Sequence, residues 1–522
     1  MGSKSIKKNE KKALQQQTQF IRFGLTFFFM AGILLYVYLM AKGMHGSIVL
    51  LAAAVIGGYM AMNIGANDVA NNVGPAVGSK AITLFWAIVI AAIFEAAGAL
   101  LAGGEVVSTI KSSIIDPDKL DDTKTFVWLM LSALLAGAVW LNLATLFGAP
   151  VSTTHSIVGG VLGAGIAAGG FSIANWDKMG AIAASWVISP VLGGLIAAGF
   201  LFFIKKKIVY QTDMIQSARK FVPILVAVMA WAFSTYLALK GLKHIWKIDF
   251  LTASLIGLGV SFVIYLLAKP FIVRKSENVE NTRESVNKLF TVPLVFAAAL
   301  LSFAHGANDV ANAVGPLAAI SDAIQNGGIS SKAPIPLWVM MIGALGISIG
   351  LLLFGPKIIK TVGGEITELD KSRAFCVAMA AAITVIVASQ LGLPVSSTHI
   401  AIGGIFGVGF LREYLKTNYA NQLQDMLDDH EGEEKVRLQK FLSNFQSAAV
   451  EDMEKMLKQA KLDKAELGLK KAERKKMKKL YSEKLVKRSA VKKIVAAWII
   501  TVPASATLAA GVFFMLHDLP LG

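Results

Sequence analysis

The chain has 522 residues, of which 55% are hydrophobic and only 16% charged, with a mean hydropathy of +0.60. That balance excludes an ordinary soluble domain, in which about a quarter of the residues are charged. The formal charge of +17 is concentrated rather than spread: residues 1–22 hold six Lys/Arg against one acid, and 411–493 hold 21 against 14. It therefore reports membrane topology, not a nucleic-acid partner.

Apolar runs of bilayer-spanning length predict helices near 20–42, 48–66, 81–102, 126–147, 151–168, 180–204, 222–239, 250–269, 289–304, 336–354, 374–391, 394–411 and 494–516. The fold class is an all-α polytopic membrane protein with about 12–13 transmembrane helices. The first run is longer than a signal-peptide core, and Ala41-Lys42-Gly43 is a poor cleavage site, so it reads as a retained helix. Basic loops mark the cytoplasmic side. With Lys4, Lys7, Lys8, Lys11 and Lys12 inside, alternation puts Lys205-Lys206-Lys207, the 270–288 loop and the 411–493 insertion inside too. Asp116, Asp118, Asp121, Asp122 and the C-terminus fall outside. The expected location is a plasma (inner) membrane, crossed many times. In the insertion, Phe441, Leu442, Phe445, Ala449, Met453 and Met456 recur at helical spacing and predict a cytoplasmic pair of amphipathic helices. Its Lys-rich end, 470–479, is a solvated helical face and a candidate for contact with anionic membrane lipid. The lone Cys376 permits no intrachain disulfide.

Two phrases occur twice. Gly65-Ala66-Asn67-Asp68-Val69-Ala70-Asn71-Asn72-Val73-Gly74-Pro75 returns as Gly306-Ala307-Asn308-Asp309-Val310-Ala311-Asn312-Ala313-Val314-Gly315-Pro316, and Pro150-Val151-Ser152-Thr153-Thr154-His155 as Pro394-Val395-Ser396-Ser397-Thr398-His399. The chain is a duplication, divided as 1–47 (N-terminus and an extra helix), 48–204 (first repeat), 205–288 (linking helices and loop), 289–411 (second repeat), 412–493 (insertion) and 494–522 (last helix). Seven spans separate the starts of the two repeats, and an odd number inverts the second. Inverted repeats with broken or re-entrant helices place equivalent half-sites face to face and point to alternating access.

An ionised carboxylate in the bilayer core needs a cavity or a counter-charge. Asp68 and Asp309 stand among Gly, Ala, Asn and Val, and no Lys or Arg is expected inside the apolar core of the repeats. Two uncompensated acids imply a cation from solution, and hard cations such as Na⁺ want oxygen ligands. Asn67, Asn71, Asn308 and Asn312, with freed backbone carbonyls, can supply them; Glu95 is a third acid and a plausible further contact. The bland reading is that these residues cap broken helices. The Ser/Thr phrases carry the opposite charge preference. A helix start directs free N–H groups and a positive dipole end at an anion, and Ser152, Thr153, Thr154, Ser396, Ser397 and Thr398 add hydroxyl donors suited to an oxyanion. Ordinary capping is again the bland alternative. His155, His305 and His399 flank the phrases and are read as orienting neighbouring hydroxyls or carbonyls. Thr109 is read as a helix-packing residue.

These phrases resemble the inorganic phosphate transporter family, whose hallmark is the duplicated Gly-Ala-Asn-Asp-Val-Ala-Asn. The resemblance covers about 48–411 and the last helix. It implies a cation-coupled symporter of inorganic phosphate, expected as a homodimer, with phosphate bound among Asn67, Asp68, Ser152, Thr153, Thr154, Asn308, Asp309, Ser396, Ser397 and Thr398. The intact phrases look like the sodium-dependent branch, so Na⁺ is the expected coupling ion and no other cofactor is implied. H⁺-coupled carriers of phosphate or sulfate belong to the same family and form the nearest alternative. A passive anion channel is the alternative of another class; no nucleotide-binding phrase or nucleophile–base set points to an enzyme.

Overall fold

In lipid every backbone polar group must be satisfied within the chain, so a sequence this apolar resolves into helices. The computed structural model describes residues 2–120, 122–146, 151–241, 248–327, 334–365, 369–415 and 488–521, with isolated positions between 435 and 456. The described residues are helical apart from turns, short connections and one isolated bridge, Ile115 to Ala174. In chain order the helices are α1 (Gly2–Ala41), α2 (Ser47–Asn67), α3 (Val69–Gly78), α4 (Leu84–Ala102), α5 (Gly104–Ser112), α6 (Thr123–Leu146), α7 (Thr153–Gly169) and α8 (Trp176–Ile204). They continue as α9 (Met214–Gly241), α10 (Phe250–Lys275), α11 (Arg283–Leu289), α12 (Thr291–Asp309), α13 (Ala311–Asn326), α14 (Leu337–Glu365), α15 (Lys371–Gln390), α16 (Ser397–Leu415) and α17 (Arg488–Leu516).

Eleven stretches of the described residues are long and apolar enough to cross a membrane. The two expected spans missing from that set are α7 and α16, the helices that follow the Ser/Thr phrases. At about 1.5 Å per residue, the 17 residues of α7 extend roughly 25 Å, short of a hydrocarbon core of about 30 Å. α16 begins on Ser397-Thr398-His399 and carries Arg412 and Glu413 near its end, which lowers its hydropathy. Both fit partial penetration of the bilayer better than a full crossing.

The Asp phrases do interrupt helices, but narrowly. Asp68 alone separates α2 from α3, and Val310 alone separates α12 from α13. Both keep right-handed helical backbone angles, so little carbonyl is freed there. Non-helical backbone lies instead before α7 and α16, at 151–152 and 393–396, with Ser152 extended.

The two halves make matching contacts. A Cβ added to Gly65 would run into Ile347 O, and one added to Gly306 would run into Glu95 O. Likewise Gly98 abuts Phe303 O, and Gly350 abuts Met62 O. Each partner lies at the corresponding place in the other half: 65 to 306 and 62 to 303 are offsets of 241, while 95 to 347 and 98 to 350 are offsets of 252. So α2 crosses α14 as α12 crosses α4, backbone against backbone, which a side chain would prevent.

The expectation of no cation in the core is corrected at Lys111. This α5 side chain is buried, 2.9 Å from Asp322 of α13, and the pairing is what makes its burial tolerable. Lys240 of α9 meets Glu105 of α5 at 3.1 Å. Contacts divide the chain into two compact units, Met1–Ile405 with Ile494–Gly522, and Phe406–Lys493. The paired helices expected in the insertion lie largely outside the described residues.

Candidate functional site

Asp68 and Asp309 are nearly inaccessible, at 5% and 1% exposure. They come from opposite halves, yet both approach the same hydroxyl. Thr153, in the first turn of α7, donates its Oγ1 proton to Asp68 Oδ2 at 2.8 Å and lies 3.4 Å from Asp309 Oδ2. Asn312 Nδ2 donates to Thr153 Oγ1 (3.2 Å) and to Thr154 Oγ1 (3.1 Å). The corresponding pair in the other half, Asn71 Nδ2 and Thr398 Oγ1, is 2.9 Å apart. Each Asp phrase thus reaches across to the other half's Ser/Thr phrase.

One atom each from Asp68, His305 and Asp309 lies within 4.8 Å of the others, a spacing that suits a shared cation. Asp309 Oδ1 and Asn312 Oδ1 are buried oxygens without a hydrogen-bond partner, so acceptors remain for it. His305 bridges to Glu95: its Nδ1 is 2.7 Å from Glu95 Oε2, and its Nε2 is 3.2 Å from Asp309 Oδ2. Asn72 Nδ2 donates to the other Glu95 oxygen at 2.9 Å. Both Glu95 oxygens are therefore engaged, and Glu95 meets the acid cluster through His305. The histidine orients carboxylates rather than hydroxyls or carbonyls.

The Ser/Thr residues divide by role. Ser152 Oγ accepts from His155 N (3.2 Å) and Ser396 Oγ from His399 N (3.3 Å), so both cap helices as the bland reading has it. Ser397 Oγ is buried without a hydrogen-bond partner. The His155 and His399 rings meet edge to face with centroids 4.7 Å apart, bringing the two helix starts together.

The non-helical segment before α16 carries carbonyls that lipid cannot hydrate, so the protein must satisfy them. Four consecutive carbonyls each accept from a different helix. Thr109 Oγ1 of α5 donates to Gly392 O (2.7 Å), and Asn308 Nδ2 of α12 to Leu393 O (3.1 Å). Trp186 Nε1 of α8 donates to Pro394 O (2.9 Å), and Thr154 Oγ1 of α7 to Val395 O (3.0 Å). Asn308 also donates to Ser389 Oγ (2.9 Å) and accepts from Val395 N (3.2 Å), so its amide serves as a brace across this turn. Its counterpart Asn67 is half-buried and stands outside these bonds. Residues 147–150, at the corresponding place before α7, lie outside the described residues.

Sequence reasoning assigned Asn308 and Thr154 to ligands without seeing the brace, and it missed Asn72, Ser389 and Trp186 altogether. Asn72 had a signal, since it lies in the first Asp phrase where the second has Ala313. Ser389 and Trp186 had none, because ordinary apolar helices contain both types. Thr109 turns out to be a hydrogen-bond donor as well as a packing residue.

A sequence model described as the phosphate transporter family matches residues 64–509. A proposed phosphate permease of Helicobacter pylori (strain J99 / ATCC 700824) is 51% identical over 526 residues, covering 99% of each chain. Another, from Haemophilus influenzae (strain ATCC 51907 / DSM 11121 / KW20 / Rd), is 41% identical over 379 residues, covering 70% of this chain and 89% of the relative. A solved sodium-dependent phosphate transporter matches with a TM-score of 0.72 and 31% identity, covering 90% of this chain and 99% of its own. Such a family moves solute rather than catalysing a reaction. This multi-pass membrane protein belongs to the phosphate transporter family.

Proposed function

We propose that the chain is a secondary active symporter that takes up inorganic phosphate with Na⁺ by alternating access. The observation that carries this reading is the meeting of Asp68 and Asp309, from opposite halves, at Thr153 in a buried cluster. The ion pairs of that cluster among the described residues include no Lys or Arg, so a mobile cation is the natural counter-charge. Phosphate meets the starts of α7 and α16, where hydroxyls and helix dipoles favour an anion. Bound cations reduce the repulsion between the acids and phosphate, and linkage makes that help reciprocal. The sodium-dependent structural neighbour supports Na⁺ as the ion. The matched glycine contacts support two equivalent halves that exchange roles. The placement of basic segments favours a cytoplasmic N-terminus and 411–493 insertion with the C-terminus outside, and the family resemblance favours a dimer.

A second reading, proton-coupled uptake of phosphate or sulfate, draws on His305 between Glu95 and Asp309. A passive anion channel has no use for the paired acids. Radiolabelled phosphate uptake into proteoliposomes, with Na⁺ and pH gradients imposed independently, separates all three. An inward Na⁺ gradient should drive accumulation at equal pH. Accumulation driven by the pH gradient alone selects the proton reading, and equilibration without accumulation selects the channel.

A further inference from the structure

We propose that Thr153 is a hydroxyl switch that makes phosphate binding conditional on the cation; the proposal rests on the sodium-coupled reading above. A threonine hydroxyl has one proton to donate and two lone pairs. An ionised carboxylate can only accept. The 2.8 Å contact between Thr153 Oγ1 and Asp68 Oδ2 therefore fixes where the single proton points: at the acid. Asn312 Nδ2 donates to the same oxygen from the other side. Thr153 is 1% exposed, so bulk water does not compete for the proton. In this arrangement Thr153 cannot also donate to an anion at the start of α7.

Asp309 Oδ2, at 3.4 Å, is the hydroxyl's other acceptor, and a cation shared by Asp68 and Asp309 changes the balance at both. The cation takes over the carboxylate lone pairs and repels the positive end of the O–H dipole. The O–H then turns about the Cβ–Oγ1 bond and presents its proton to phosphate. Hydrogen bonds to charged partners are the strong ones, so the bare carboxylate holds the proton and the neutralised one releases it. Ser397, the corresponding residue of the second half, is buried and its Oγ makes no such bond, so its proton is not withheld by an acid. The switch belongs to the first half alone.

A switch differs measurably from an unconditional ligand. Phosphate Kd should be measured by calorimetry on the purified full chain across a sodium series, with choline replacing sodium. In the unaltered protein, phosphate Kd should fall steeply as sodium rises. Thr153→Val should flatten that dependence, raising Kd about ten- to a hundredfold at saturating sodium and little at low sodium. Thr153→Ser, which keeps the hydroxyl, should restore the steep dependence and also controls for folding. Ser397→Ala should weaken phosphate binding by the same factor at every sodium concentration. Parallel weakening by Thr153→Val at all sodium concentrations would overturn the proposal, because Thr153 would then be a ligand and no switch. Unchanged Kd would overturn it too, leaving the hydroxyl a helix-end contact. A flat dependence in the unaltered protein would instead overturn the sodium-coupled reading itself.

Discussion

At the residue scale, the site is built from groups that each have more than one possible partner. Asp68, Asp309 and Thr153 form the centre, and His305 links that centre to Glu95. Two carboxylates this close repel unless a positive charge joins them, which is the physical basis for a transported cation. Asp68→Asn and Asp309→Asn keep size while removing one charge each. Either should abolish gradient-driven phosphate uptake in proteoliposomes while the protein still inserts and purifies as the unaltered chain does. Full uptake with unchanged sodium dependence would show that the acids only cap helices. The equal treatment of Asn67 and Asn308 that the duplicated phrase invites does not survive at this scale. The Asn308 amide is occupied by Ser389, Leu393 and Val395.

At the element scale, helix crossings hold the site at register. Gly98 of α4 lies against the backbone of α12 at Phe303, two residues before His305, so any separation there moves the histidine and Asp309. Gly98→Ala should lower the melting temperature of the purified protein, since overpacking a close contact costs about 1–3 kcal/mol. Gly180, in α8, has open space around it. Gly180→Ala should leave the melting temperature unchanged or raise it slightly, because alanine is favoured over glycine in a helix by about 0.5–1 kcal/mol. Equal melting of the two variants would mean that the α4–α12 crossing yields without strain. Hydrogen bonds from neighbouring helices let α16 begin on non-helical backbone. The start of α16 need not reach the membrane surface, because side chains of α5, α7, α8 and α12 hydrate, in effect, the carbonyls of 392–395.

At the scale of the whole molecule, the insertion lies outside both duplicated phrases and forms most of a separate unit, Phe406–Lys493. Replacing 420–485 with a short flexible linker should therefore preserve phosphate uptake per inserted molecule, measured in proteoliposomes against the unaltered chain. Loss of uptake in a correctly inserted variant would make the insertion part of the transport cycle. The sequence by itself determined the helical class, eleven of the thirteen expected spans, the duplication and the places where helices break. It could do so because lipid leaves a backbone few options, and apolar length plus punctuation then specifies each element. It also marked both acids and the hydroxyl phrases, since polar groups in such surroundings stand out. Only the tertiary structure decided which of these groups meet. Thr153 joins acids 85 and 156 residues away, and Trp186 reaches Pro394 across 208 residues. Lys111 and Asp322, each unremarkable in its own helix, become a buried pair. Such partnerships depend on which faces of distant helices pack together, and helical periodicity within one segment carries no record of that choice.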